Sequence, residues 1–345
     1  MRIMTKAGIL AVLAALAMLL AVACGGEEEA TTDESPADGG SQEEISIAFF
    51  GFAKANSFAQ ATFTGIEEWA KENNATATFF DGAFDAPTQV SQIQDATTSG
   101  KYDVLIVQAN DGTAVIPAVE QAIAQGLTVV AEFTPVGTRY DTAEPQVEGM
   151  YFVGDVITEN GEIIAELGLD AAAAEGIDKP VIAYLQGFPD LPLDNARTEA
   201  AVSTLKAGGA EVIDTYVGGY TKDSGRAAGQ DLFAAHPDVD VVIGSSQAIA
   251  GLETVIPDDL VGKVQLVGNG GSIQAVTAVK EGRWYGTYVY PETLAGAKAA
   301  EVGAGAARGE DMPDSVTVKV VAEENGIDVK GTAETLEEQE GFYND

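Results

Sequence analysis

Few residues in this 345-residue chain could break bonds, since His236 is the only histidine and Cys24 the only cysteine. His236 precedes Pro237 and Asp238 at a helix-to-strand turn, where a histidine has a structural role. No Ser-His-Asp set or metal cluster can be assembled around it. The glycine-rich stretches GNGGS and YVGGYT match neither GxxxxGK[ST] nor GxGxxG in a strand-to-helix context, so they read as turns rather than phosphate cradles. No catalysis, cofactor or metal is expected. What remains is non-covalent chemistry, concentrated in the loops FGFAKANSF, QANDGT, EFTPVGT, QGFPDLPLDNAR, GGYTKD, GSSQ and GNGGS. There, planar guanidinium donors, amides and carboxylates can satisfy hydroxyls while aromatic faces cover an apolar ring face. That is the chemistry of holding a small polar molecule.

The elements that carry these loops follow from periodicity. From Ile45, short β-rich apolar runs alternate with amphipathic stretches: ISIAFF (45–50), ATATFF (75–80), DVLIVQ (103–108) and LTVVAEF (127–133). Ala59, Phe63, Ile66 and Ala70 share one helical face, Pro87 opens a helix, and Gly126 closes the one holding Val119 and Ile123. A second series begins with GMYFVG (149–154) and continues through VIAYLQG (181–187), AEVIDTY (210–216), VDVVIGS (239–245) and KVQLVGNG (263–270). A strand TYVY (287–290), a helix over about 291–308 and a strand SVTVKVV (315–321) follow. Repeated βα units imply parallel sheets, here an α/β fold in two lobes joined by several crossings, with ligands held beyond the carboxyl ends of the strands.

The ends of the chain read differently. Residues 1–23 combine a basic start (Arg2, Lys6) with an apolar run from Ala7 to Ala23, which is a signal peptide, too short at about 17 residues to favour a retained membrane span. Ala21-Val22-Ala23-Cys24 resembles a lipobox with Ala in place of the usual Leu, which makes Cys24 the expected lipidation site and membrane anchor. Residues 24–44 are an acidic low-complexity tether. Residues 331–345, with Glu334, Glu337, Glu338 and Glu340, read as an acidic solvated helix or frayed tail. The formal charge is −36, and −38 once residues 1–23 are removed, which excludes a nucleic-acid partner.

In the order of its pieces the chain resembles the periplasmic-binding-protein type I family, in the branch of the ribose- and galactose-binding proteins, over roughly Ile45 to Val329. The resemblance is carried by Ala55-Asn56-Ser57-Phe58 after the first strand, Gln108-Ala109-Asn110-Asp111 after the third, Ala196-Arg197 opening a second-lobe helix, and AAHPDVDVVIGSS (234–246). It implies two Rossmann-like lobes closing by a three-crossing hinge, placed near Gly154, near Thr287 to Pro291 and near Ser315. The first lobe would take 45–153 and 288–314, the second 154–287 and 315–330. It also implies a lipoprotein that captures a sugar or sugar-like polyol and delivers it to an ABC import permease, with a monomeric soluble part.

Carried onto this sequence, the family's binding positions fall on Phe52, Asn56, Phe58, Gln108, Asp111, Glu132, Phe133, Arg197, Tyr220, Ser246, Gln247, Asn269, Tyr288 and Tyr290. Phe58 and Tyr220 would sandwich a ring, with Phe52 as a further stacking surface. Each has a plainer reading: Phe58 as a core residue at the first helix, Arg197 in a surface ion pair with Glu199 or Asp194, Glu132 as a solvated carboxylate at the rim. Three departures stand out. Ser246-Gln247 replaces Asn-Asp, Asn269-Gly270-Gly271 replaces an Asp, and Tyr-Val-Tyr-Pro (288–291) stands where a Gln precedes proline. The pocket is thereby more aromatic and less acidic than a pentose or hexose site, which leaves a nucleoside or aromatic solute as the alternative ligand. A sensing partner of a membrane receptor kinase is the alternative role. A transcription regulator of the same fold would need a basic DNA-binding element where this chain has a leader and tether.

Overall fold

The computed structural model describes residues 44–345. The signal peptide, Cys24 and all of the tether before Glu44 lie outside the described residues. The first sheet comprises β1 (Ile45–Gly51), β2 (Ala75–Asp81), β3 (Val104–Val107), β4 (Thr128–Phe133), β5 (Tyr151–Gly154) and β11 (Ser315–Thr317), in the order β11-β5-β4-β3-β1-β2 and parallel throughout. The second comprises β6 (Val181–Tyr184), β7 (Glu211–Ile213), β8 (Val241–Ser245), β9 (Gln265–Asn269), β10 (Gly286–Tyr288) and β12 (Lys330–Thr332), in the order β12-β10-β9-β8-β6-β7. Only β12 runs antiparallel to its neighbour, β10. Every residue of the VLIV run in β3 is buried, as expected of a central parallel strand covered on both faces by helices.

Helix starts follow local chemistry. Asn56 caps α1 (Ser57–Glu72), and Asp85 caps α2 (Ala86–Ser99), whose first turn holds Pro87. Helices α1 and α9 (Glu292–Ala307) press together on the first sheet with almost no side chain between them. A Cβ on Gly65 would lie 1.8 Å from the Thr293 carbonyl oxygen, and one on Gly296 would lie 2.1 Å from that of Thr62. The unit Gln42–Asp345 is compact, with apolar clusters on both faces of each sheet.

The chain passes between the sheets three times: from β5 to α4 (Ile157–Ala174), from β10 to α9, and from α10 (Val318–Glu324) to β12. GMYFVG, which heads the second series in the sequence, lies in the first sheet, where β5 pairs with β4, and the chain crosses after Gly154, where the first crossing was expected. Two sequence expectations are corrected here. SVTVKVV is not one strand. Thr317 turns its side chain onto the amide of Val320 and starts α10, so β11 joins β5 in the first lobe and the third crossing falls after Asn325 rather than near Ser315. Residues 331–345 are not a solvated tail, since Leu336 is fully buried in the second-lobe core and Tyr343 is 8% exposed.

The close approach of Gly65 to the Thr293 backbone yields a direct test. Gly65→Ala should lower stability by about 1–3 kcal/mol, as overpacking of a tight contact does, seen as a lower urea midpoint at unchanged slope. An unchanged midpoint would mean the helices are not in backbone contact.

Candidate functional site

The carboxyl ends of both sheets face one cavity of about 50 Å³. The first lobe contributes Phe52, Asn56, Phe58, Phe84 and Phe133; the second crossing contributes Tyr288 and Tyr290. The second lobe adds Asn160, Leu191, Leu193, Arg197, Tyr220, Gln247, Asn269, Gly270 and Tyr343. The lobes touch around it. Gln247 Nε2 donates to Ser57 Oγ at 3.2 Å, and Phe84 stands edge-on to Phe188 at 5.2 Å between ring centres.

Phe133 ends β4 with φ 64°, a left-handed conformation that is costly for a bulky residue. Its carbonyl accepts from Asp155 N at 2.9 Å, which locks the turn. The ring then packs 4.8 Å from Phe58, 5.0 Å from Tyr290 and 6.0 Å from Phe52. Phe84 is left-handed too, at φ 53°, and stacks over Tyr220 at 6.4 Å and 9°. Both strained aromatics therefore point into the cavity.

Arg197 is 6% exposed and lies 5.9 Å from the centre of the Phe133 ring. Its Nη1 donates to Asp194 Oδ1 at 3.0 Å and to the Tyr220 hydroxyl at 3.2 Å. Tyr220 in turn donates to the same Asp194 oxygen, and the other oxygen accepts from Phe188 N at 2.7 Å. Arg197 Nε is buried without a partner. Both sequence readings of Arg197 thus meet: it pairs with Asp194, one helical turn earlier in α5 (Pro192–Ala207), but the pair is buried at the cavity rather than exposed.

Behind the aromatic wall, Glu132 is fully buried. It accepts from Gln108 Nε2 at 2.7 Å and from the Tyr290 hydroxyl at 2.8 Å. Burial pushes its pKa up from 4.5 to about 7, and those two hydrogen bonds oppose the shift. Asp155, at the first crossing, is likewise pushed from 3.8 to about 7 by burial, against the neighbouring Tyr288 hydroxyl and the charges of Arg197 and Lys319.

Ten of the fourteen expected residues line the cavity: Phe52, Asn56, Phe58, Phe133, Arg197, Tyr220, Gln247, Asn269, Tyr288 and Tyr290. The other four do not. Gln108 and Glu132 form the layer behind it, so Glu132 is neither a solvated rim carboxylate nor a cavity acceptor. Asp111 spends its carboxylate on the amides of Thr113 and Ala114 in its own loop, and Ser246 is covered by Tyr343. Asn56 uses Oδ1 to cap α1, which leaves its amide NH2 for the cavity. Asn160, Phe84, Leu191, Leu193 and Tyr343 were not among the expected residues. Asp194 was expected only as a surface ion-pair partner of Arg197, at i, i+3 spacing on a helix, and not as part of the site. Among the described residues, no cluster of three or more His, Cys, Asp or Glu could hold a metal ion.

Against known proteins, residues 47–311 match the family described as periplasmic binding protein domain. The chain is 23% identical over 316 residues to the ribose import binding protein of Bacillus subtilis, covering 90% of this chain and 97% of that one. It is 24% identical over 204 residues to the D-ribose/D-allose-binding protein of Pseudomonas aeruginosa, covering 58% and 61%. Among solved structures it is similar to an Agrobacterium radiobacter carbohydrate transporter solute-binding protein in complex with D-arabinose, at TM-score 0.69 and 17% identity, covering 81% of this chain and 93% of that one. A Mycobacterium smegmatis ABC transporter solute-binding protein with bound glycerol is similar at TM-score 0.68 and 22% identity, covering 84% and 100%.

The raised carboxyls make stability depend on pH. Between pH 4.5 and 7 the folded protein holds the Glu132 proton that the unfolded chain has released, so stability falls as pH rises through that window and levels off above it. Glu132→Gln removes this contribution. Its melting temperature should fall less than that of the unaltered protein between pH 5 and 7, and the stability difference between the two should move by on the order of 3 kcal/mol in the variant's favour from pH 4 to pH 8. Parallel curves for the two would show that Glu132 does not titrate in that range.

Proposed function

The chain belongs to the periplasmic binding protein domain family, and on that premise we propose that it captures a sugar or sugar-like polyol between its lobes and delivers it to an ABC import permease. The carrying observation is the Arg197–Asp194–Tyr220 cluster set beneath an aromatic wall from the opposite lobe. A guanidinium already charge-compensated by a carboxylate still has an N–H to give, which suits a neutral hydroxylated ligand better than an anion. The surrounding phenylalanines and tyrosines suit the apolar faces of a ring. Amides at Asn56, Asn160, Gln247 and Asn269 add donors and acceptors without charge. The cavity has room for roughly four waters as the lobes stand, so a pentose or hexose is held with the lobes or side chains slightly further apart.

The ligands named for the relatives and structural neighbours support the same reading, since ribose, allose, arabinose and glycerol are all neutral, polyhydroxylated molecules. In this reading the protein acts outside the cytoplasm as a monomer without catalysis, tethered to the membrane through acylated Cys24 after removal of residues 1–23. The aromatic excess favours a second ligand class, nucleosides, through the same stacking surfaces.

The test is thermal stabilisation of residues 42–345, unfolded and refolded to strip carried-over ligand, against pentoses, hexoses, cyclitols and nucleosides. A ligand at one hundred times its Kd adds about 2.7 kcal/mol of stability. We expect a neutral sugar or cyclitol to raise the melting temperature. The double variant Arg197→Met/Asp194→Asn should abolish the shift while folding normally, since it removes both buried charges together. A response to nucleosides alone would replace the polyol reading with the second one.

A further inference from the structure

We infer that residues 341–345 form a wall of the binding site, in which the Tyr343 hydroxyl contacts the ligand and helps set which sugar is accepted. The inference rests on the polyol reading of the cleft. This strap is built into the second lobe. Phe342 N donates to the Gly271 carbonyl at 2.8 Å, and Ile273 N donates to the Tyr343 carbonyl at 2.7 Å. Asp345 takes hydrogen bonds from Ser272 Oγ at 2.5 Å and Ser246 Oγ at 3.4 Å, and its amide donates to Gln274 Oε1 at 2.9 Å. Leu336, upstream, anchors the approach in the second-lobe core.

The surrounding sequence makes space for it. A Cβ on Gly341 would lie 2.4 Å from Ile273 backbone atoms, and one on Gly270 would lie 2.7 Å from the Tyr343 hydroxyl. The glycines of GNGGS thus admit a neighbouring segment. So seated, Tyr343 lines the cavity beside Gln247, Asn269 and Gly270, with its hydroxyl 3.3 Å from the fully buried Ser246 Oγ. It occupies the corner where Ser246 and Gly270 offer little of their own. A tyrosine there can donate to, or accept from, one ring hydroxyl while its edge excludes a bulkier substituent.

Three variants of residues 42–345, which contain no cysteine, separate the possibilities: Tyr343→Phe, Gly341→Ala, and a chain ending at Glu340 that keeps Leu336. Dissociation constants for D-ribose, D-allose, D-arabinose and glycerol are measured by calorimetry, with melting temperatures alongside. Tyr343→Phe should weaken the tightest of these by about tenfold, the worth of one lost hydrogen bond, at an unchanged melting temperature and with an altered ranking of the four. Gly341→Ala and the shortened chain should lose more. A second readout needs no sugar. A thiol introduced by Ser246→Cys should react slowly with methyl methanethiosulfonate in the otherwise unaltered protein and at least tenfold faster in the chain ending at Glu340. Equal sugar affinities and rankings across all variants would overturn the role of Tyr343, and equal thiol rates would overturn the wall itself. Binding of none of the four compounds to the unaltered protein counts against the sugar or polyol reading and the ligand contact together, while the thiol rates still decide whether the strap covers the site.

Discussion

A guanidinium buried between two lobes must have its charge compensated, and much of the cleft is arranged to do so. Asp194 sits one turn before Arg197 on the same helix, which fixes the pair within one rigid element. Tyr220 donates to Asp194 and accepts from Arg197, and the Phe133 ring offers its face from the other lobe. Removing either charge alone would strand the other out of water, at a cost of about 3–5 kcal/mol. Arg197 Nη1 makes both hydrogen bonds, to Asp194 and to Tyr220, and Nε is buried without a partner. An unpaired buried N–H costs free energy, so the folded cluster is not fully satisfied as it stands.

The carboxyls on the other side of the cleft follow the opposite logic. Glu132, Asp155 and Glu292 are all buried, and burial raises the pKa of each. These three carboxyls therefore keep their protons to higher pH than exposed carboxyls do, while the whole chain carries a net charge of −36. A field of that sign discourages anions on approach. A neutral ligand meets no such barrier, in keeping with a guanidinium that is already paired.

The strands and their loops were legible because parallel strands buried on both faces must be apolar runs, and DVLIVQ or VDVVIGS admit little else. Asn56, Arg197 and Tyr220 were legible only through the family resemblance, which the order of those runs carries. The misses share one physical origin: they depend on where the backbone goes after an element ends. Phe84 reaches the cavity because two consecutive residues, Ala83 and Phe84, turn left-handed, for which GAFD carries no signal. The SVTVKVV run has the alternation of a strand, yet a threonine cap converts its second half to helix. The acidic composition of 331–345 hid Leu336, Phe342 and Tyr343, because charge density describes the exposed side of a segment and says nothing of the few residues that anchor it.

The hinge and the site are one structure in this fold. Tyr288 and Tyr290 lie at the second crossing, and both line the cavity. Tyr290 also donates to Glu132 at the end of β4, and Tyr288 lies beside Asp155 at the first crossing. Two of the three crossings are therefore tied to each other, or to the first sheet, through the rings a ligand would touch. A ligand can favour the closed arrangement only by as much as its contacts differ between open and closed forms. Contacts spread across Phe58 and Phe133 on one side and Arg197 and Gln247 on the other exist together only when the lobes meet, so binding energy at this cavity and closure energy at this hinge are the same quantity.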